Sequence, residues 1–300
     1  MSVTDIDVYK IAVSMVKGYR CADIKQFVET AGGVVELFEN AEEVAESFGA
    51  AAKDFFKALT APALLESAHQ QYDIVKKFHT HLSFFTDSDY PSKLRDCSDS
   101  PVLLYCSRKF DFDSYFVLSI IGTRKADNLA ERYVDSFLSE LSKFGRKILI
   151  LSGLADGVDS IAHKAALKYG FDTVAVLGHG FDKIYPYSNR GLASQIRKSH
   201  GALITEFYSG YPLSPENFPQ RNRIVAGLCD ALLVVQTPLH GGSMNTVALA
   251  NSYGREVFAF PGRPDDELFA GCNRLIRNNN AAILNSAEDF AYYMGWGGND

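Results

Sequence analysis

Phe218, Arg221, Asn222 and Arg223 fall within six positions of one another in "FPQRNRIVAGL" and combine an aromatic face, an amide and two fixed positive charges. Guanidinium groups are planar donors suited to gripping phosphate or lying on a base. Beside an aromatic ring, they form the combination that holds single-stranded nucleic acid. Asn222 can pair with a base edge or cap a helix. Another arginine, Arg124, stands in "IIGTRKAD" behind Gly122 and Thr123, and Tyr185 adds a second ring in "FDKIYP". Two small-residue turns, Ser152-Gly153 and Gly241-Gly242-Ser243, lead towards helical patterns. With no Cβ in the way, successive N–H groups there can face an anion, so both turns are candidate phosphate nests.

Catalytic arrangements are harder to find. His163 lies one helical turn from Asp159, within hydrogen-bonding reach for a general base, but no GxSxG elbow accompanies it. Asp156 and Asp159 read as turn and cap residues. His179 and His240 stand beside glycines without metal-ligand spacing, and the GxGxxG dinucleotide fingerprint is missing. The expectation is a binding site without a catalytic set, a cofactor or a metal.

The elements that must position these residues alternate strand and helix from Tyr115 onward. Apolar runs predict strands at Phe116–Ile121, Lys147–Leu151, Asp172–Leu177, Ala202–Thr205, Ala231–Val235, Glu256–Phe260 and Ala282–Leu284. Runs such as "KILIL" and "ALLVV" are apolar on both faces, as in a parallel sheet covered by helices on each side. Asn128–Phe144 carries one apolar stripe at helical spacing. This pattern predicts a doubly wound α/β domain, whose ligands sit beyond the carboxyl ends of the strands, and the candidate residues cluster at those exits. The loop after the fourth of these strands is expected to carry Phe218, Arg221, Asn222 and Arg223. Upstream, residues 1–75 read as a small all-helical domain interrupted at Gly32-Gly33, and "LSFFTDSDYPSKL" and "DSPVLLYCS" predict one or two lead-in strands. The tail from 291 to 300 reads as loose.

With 300 residues and 47% hydrophobic content, the chain has the material for a substantial core. No apolar run reaches the ~18 residues of a membrane span, and Asp5 and Asp7 precede Lys10, the wrong charge order for an export signal, so a cytoplasmic location is expected. Five cysteines without paired spacing read as reduced thiols. The formal charge of −6 is unevenly spread: residues 121–227 hold 14 basic and 10 acidic side chains, whereas 1–120 hold 12 and 18. The basic segment is the one bearing most of the candidate site, and local potential matters more to a phosphate ligand than the total.

Taken together, "GTRKA", "SGLADGVDSIAHKAAL", "TVAVLGHGFDKIYP", "LITEF", "FPQRNRIVAGL", "GREVFAFPG" and "GCNRLI", in this order, resemble the DNA processing protein A family, DprA or Smf. The resemblance runs from about Asp89 to Asn285 and implies an extended Rossmann domain over 76–290. A helical domain of the SAM or helix-hairpin-helix kind would precede it. Implied function is single-stranded DNA binding, protection of incoming DNA and loading of RecA recombinase in natural transformation, by a homodimer. Implied binding residues are Gly122, Thr123 and Arg124; Ser152, Gly153 and His163; Phe218, Arg221, Asn222 and Arg223; and the Gly241, Gly242 and Ser243 nest. No catalytic activity is implied. "HGGSMNTVA" departs from the family's Ser-Gly-Ser-Leu-x-Thr-Ala, "VKGYRCAD" lacks a Gly-x-Gly hairpin, and no winged-helix domain is expected after the sheet. Leu228, Leu232 and Ile283 are the apolar candidates for a dimer surface, and read equally well as core.

Two other readings remain. "GGSMNT" is similar to the phosphate turn of phosphoribohydrolases, which need a nearby carboxylate, and Gly242 to Tyr253 contains none. A nucleotide-sensing module without DNA is the other.

Overall fold

The computed structural model describes residues 3–296. Six helices come first: α1 (Val3–Met15), α2 (Cys21–Ala31), α3 (Val34–Glu39), α4 (Ala41–Phe48), α5 (Ala50–Leu59) and α6 (Pro62–Lys77). Gly32 and Gly33 take φ of 93° and 151°, values that favour glycine, and so turn the chain between α2 and α3. The apolar faces meet around Phe27, whose ring packs on Phe48, Phe55 and Phe56.

The sheet follows. Its elements are β1 (His81–Phe84), α7 (Ser92–Arg95), β2 (Leu103–Cys106), β3 (Phe116–Ile121), α8 (Asn128–Leu141), β4 (Ile148–Ser152), α9 (Val158–Lys168), β5 (Asp172–Val176), α10 (Arg190–Lys198) and β6 (Ala202–Thr205). They continue with α11 (Asn217–Leu228), β7 (Ala231–Val234), α12 (Ser243–Ser252), β8 (Glu256–Ala259), α13 (Ala270–Arg277), β9 (Ala282–Ile283) and α14 (Ala287–Tyr293). The strand order is β1-β2-β6-β5-β4-β3-β7-β8-β9. β1 and β2 are antiparallel additions, and every pair from β6 to β9 is parallel. The expected doubly wound sheet is present, and the two lead-in strands are its antiparallel edge.

From β3 the chain winds one way through β4, β5 and β6, then crosses back to place β7 on the other side of β3. That reversal is a topological switch point, the place where open α/β sheets open a crevice beyond their strands. The strands are buried because their side chains are apolar on both faces: all five residues of β4 and all four of β7 are buried. Helices and sheet share one core, running from Val8 and Ile11 through Leu104 and Leu233 to Phe290. Polar ties reinforce the junction, with Lys10 Nζ 2.8 Å from Asp87 and Gln71 donating to the Ser209 carbonyl at 3.0 Å.

One expectation meets a different structure, and one open alternative is decided. From 291 onward Ala291 and Trp296 are packed, Trp296 2% exposed against Phe116 and Phe290, while Tyr292 and Tyr293 face outward and 297–300 lie outside the described residues. Leu228 and Leu232 belong to the core, and only Ile283 of that trio is exposed.

Candidate functional site

The switch point holds a cavity of about 390 Å³. Three strand exits and one helix build it. After β3 come Gly122, Thr123, Arg124 and Lys125; after β4, Gly153 and Ala155; after β7, Gly241, Gly242 and Ser243, with Thr246 one turn into α12. The fourth wall is α11, which presents Phe218, Arg221, Asn222 and Val225. Their spacing, i, i+3, i+4 and i+7, is one face of a helix. Ten of the thirteen expected site residues therefore line one cavity, and Ser152, His163 and Arg223 do not.

The β3 exit is held by backbone. Thr123 N donates to the Gln236 carbonyl at 2.7 Å, and the Thr123 carbonyl accepts from Val158 N, the first amide of α9, at 3.1 Å. Asp127 caps α8 through Leu129 N and Ala130 N, ending the loop. A Cβ on Gly122 would sit 2.8 Å from the Gln236 carbonyl, and one on Gly157 (φ 76°) would strike the Thr123 carbonyl. Glycine is needed at both for the loop and α9 to meet this closely. The result is a rigid arch that leaves Arg124 and Lys125 exposed at the cavity rim.

Arg124 lies over the Phe218 ring, its guanidinium carbon 5.3 Å from the centroid, within cation–π range. Tyr185 continues the aromatic surface, 5.6 Å from Phe218. Below them Arg221 is 4% exposed. Its Nη1 donates to the Gly153 carbonyl at 2.5 Å and to that of Val176, and its Nε to Asn222 Oδ1 at 3.1 Å. A side chain at Gly153 would collide with this guanidinium. Burial, with Arg124 nearby, lowers the Arg221 pKa to about 10, and the group stays charged at neutral pH. Opposite stands Asp159, whose carboxyl burial pushes up, against Arg221 and the hydrogen bond from Ala155 N that lower it. Three cationic side chains and one carboxylate thus surround the cavity, and Gly242 delivers the chain directly into the N-terminus of α12. Such a site favours an anion with a flat apolar part.

The remaining three residues lie elsewhere. Ser152 is inside β4, its hydroxyl donating to the Ile120 carbonyl at 2.6 Å, and Gly153 is separated by four residues from Val158 at the start of α9. The Gly241 turn abuts a helix directly, but the Ser152-Gly153 turn offers Arg221 a carbonyl. His163 is fully buried, with Nδ1 2.7 Å from Thr173 Oγ1. Because Thr173 Oγ1 donates its own hydrogen to the Ile150 carbonyl, it accepts from His163 Nδ1–H, leaving Nε2 as a buried acceptor without a partner. Burial and the Arg221 charge lower the pKa of this ring to about 3. Arg223 points away from the cavity. Its Nη1 and Nη2 each lie 2.6 Å from a Glu206 oxygen, Nε donates to the Asp99 carbonyl, and the Gln220 carbonyl and Cys21 Sγ take the remaining hydrogens.

The expected loop is the reason for this difference: the chain is helical from Asn217. Residues two apart on a helix point about 200° away from each other, so Arg221 and Arg223 cannot share a ligand. Pro219 does not oppose this, because N–H groups in a first helical turn have no helical partner to lose. Lys125 is a charged cavity residue that the sequence left unassigned, and Asp159, expected as a turn or cap residue, lines the cavity while accepting from Ala155 N. Lys125 had a signal in its place beside Arg124. The spacing of Asp159 from His163 was visible, but its place at the cavity was not, since α9 meets the β3 exit through tertiary contacts at Gly157 and Val158.

Residues 81–295 match the family model described as DNA recombination-mediator protein A. DNA processing protein DprA of Streptococcus pneumoniae is 30% identical over 293 residues, 96% of this chain and 98% of that protein. Its crystal structure superposes with a TM-score of 0.78, at 29% identity, covering 97% and 98% of the two chains. DNA processing protein A from Helicobacter pylori, solved for its single-stranded DNA binding mode, gives a TM-score of 0.63 at 28% identity, covering 72% of this chain and 96% of that one. Smf of Synechocystis is 39% identical over 202 residues, 66% of this chain and 50% of that protein, so the chain spans half of this relative's length.

Proposed function

The chain belongs to the DNA recombination-mediator protein A family, and we propose that it binds single-stranded DNA through the cavity at its switch point. The observation that carries this reading is Arg124 lying over Phe218 at the rim, with buried Arg221 below and the α12 N-terminus across from it. One phosphate of the strand sits between the Gly242 and Ser243 end of α12 and the cations Arg124 and Lys125. Its base lies on Phe218, sequence-tolerantly, because every base has a π-face. Arg221 raises the potential from beneath without leaving its carbonyl partners. Gly122, Gly153 and Gly241 keep the walls close. The similarity to a protein solved for its single-stranded DNA binding mode supports the choice of ligand.

The bound strand is then passed to RecA recombinase, by a homodimer acting through binding and without turnover, within the cytoplasm. Support comes from the family alone. Competition tests the ligand: an unlabelled single strand should displace labelled oligo-dT, and a duplex of equal length should not. Equal displacement by both would overturn the reading. Mass in solution tests the dimer, and filament assembly by RecA on protected single strands tests the hand-over. Asp159 gives the phosphoribohydrolase reading the carboxylate that α12 lacks; release of free base from a nucleoside monophosphate would favour that reading instead.

A further inference from the structure

A second, larger cleft of about 790 Å³ lies between α6 and α10 over the β2–β6 end of the sheet. Its two walls differ. Ile74 and Val75 of α6 and Phe78 at its C-terminal cap make one apolar, whereas Arg190, Arg197 and Lys198 make the α10 wall basic, with Ala193 and Ser194 leaving room between them. Arg190 and Arg197 are two helical turns apart on one face, about 10 Å along the axis. Both are exposed. Arg108 donates to the Arg197 and Ser199 carbonyls at the end of α10, offsetting the negative pole of that helix. Leu203 and Phe207 floor the cleft.

The two sites are joined by a run of exposed rings and cations. Phe218 at the cavity rim packs on Tyr185, 46% exposed. Two residues on, Tyr187 is 70% exposed and carries the Arg190 guanidinium 4.0 Å from its ring centroid. Arg190 in turn lines the cleft, together with Phe181 and Ile184 from the same loop. The acidic neighbours are Asp182, which pairs with Lys183 and accepts from Gly210 N, and Asp156, which accepts from Ser188. A tyrosine this exposed contributes little to folding, while its face under a guanidinium suits a stacked base.

We propose that a single strand leaving the cavity continues over Tyr185 and Tyr187 into the α10 cleft, where Arg190, Arg197 and Lys198 take its phosphates and the apolar walls take bases. This extension rests on the cavity being the primary site for the same strand. Polarity alternates across the cleft as it does along a nucleic-acid strand, and the path is continuous with the cavity, which is why a single strand fits better than an apolar ligand or a peptide.

The test measures affinity against length, using labelled oligo-dT of about six and about twenty nucleotides, since a short strand can fill the cavity alone. The Arg190→Ala/Arg197→Ala double variant and Tyr187→Ala change exposed groups only. Each should bind the short strand within about twofold of wild type and the long one about tenfold more weakly, and the double variant should lower the salt slope on the long strand by about 1.4. Wild-type binding of both lengths by both variants would overturn the extension, as would equal weakening at both lengths. Arg124→Ala serves as the discriminating control. If it binds the short strand fully, the cavity reading fails, whatever the α10 variants do.

Discussion

Arg124 and Arg223 carry the same charge and meet opposite fates because of what surrounds them. Arg124 stands exposed above Phe218, with donors free to turn to a ligand. Arg223 is 8% exposed and closed on Glu206 in a fork-to-fork pair. Removing one partner of such a buried pair strands the other, so Arg223→Ala should lose about 3–5 kcal/mol in urea unfolding, with oligonucleotide affinity of the folded protein unchanged within about twofold. Unchanged stability with a flattened salt slope would return Arg223 to the binding site. His163 makes the complementary case, for acid. Unfolded, its ring takes a proton near 6.5; folded, only at about 3. Between those values the unfolded state holds the extra proton. The contribution is therefore complete above pH 6.5 and drains as pH falls, by at most about 1.4 kcal/mol per unit. His163→Asn, which keeps a donor towards Thr173, should flatten that slope in unfolding titrations between pH 6.5 and 4; an unaltered slope would assign it to other groups. Types and neighbours of such residues were legible in the sequence. Their burial was not, because it depends on which helical face each occupies.

At the scale of elements, the strands were the most legible feature. "KILIL" and "ALLVV" cannot expose either face, and they appear as β4 and β7 with ends within a residue of those expected. Strand exits could therefore be read correctly, and ten of the thirteen chosen residues meet in one cavity. The start of α11 was illegible for a local reason: "SPENFPQRN" has turn-forming residues and two prolines, which mask a helix that begins at Asn217. Equally hidden was the approach of α9 to β3, which depends on Gly157. Gly254 offers a control, since its φ of 68° resembles the 76° of Gly157 while nothing lies within 4 Å of its missing Cβ. Gly254→Ala should cost about 1 kcal/mol, for backbone strain alone. Gly157→Ala should cost about 2–3 kcal/mol and also weaken oligonucleotide binding, because it displaces the arch carrying Arg124. Equal stability losses with binding intact in both would separate the arch from the site.

For the whole molecule, a chain of net charge −6 binds a polyanion only if its positive potential is local. The sheet arranges this by gathering Arg124, Lys125 and Arg221 from two separate segments at one crevice. The basic middle third of the sequence hinted at it, but only the winding order shows that β3 and α11 meet at the reversal. The most direct test of this arrangement is fluorescence anisotropy of labelled oligo-dT, titrated with the wild-type protein and with Arg124→Ala at two salt concentrations. Tight, salt-sensitive binding by the wild type is expected, with a weaker affinity and a log–log salt slope shallower by about 0.7 in the variant, one phosphate contact fewer. Wild-type affinity and slope in the variant, or no binding by the wild type at low salt, would contradict the site.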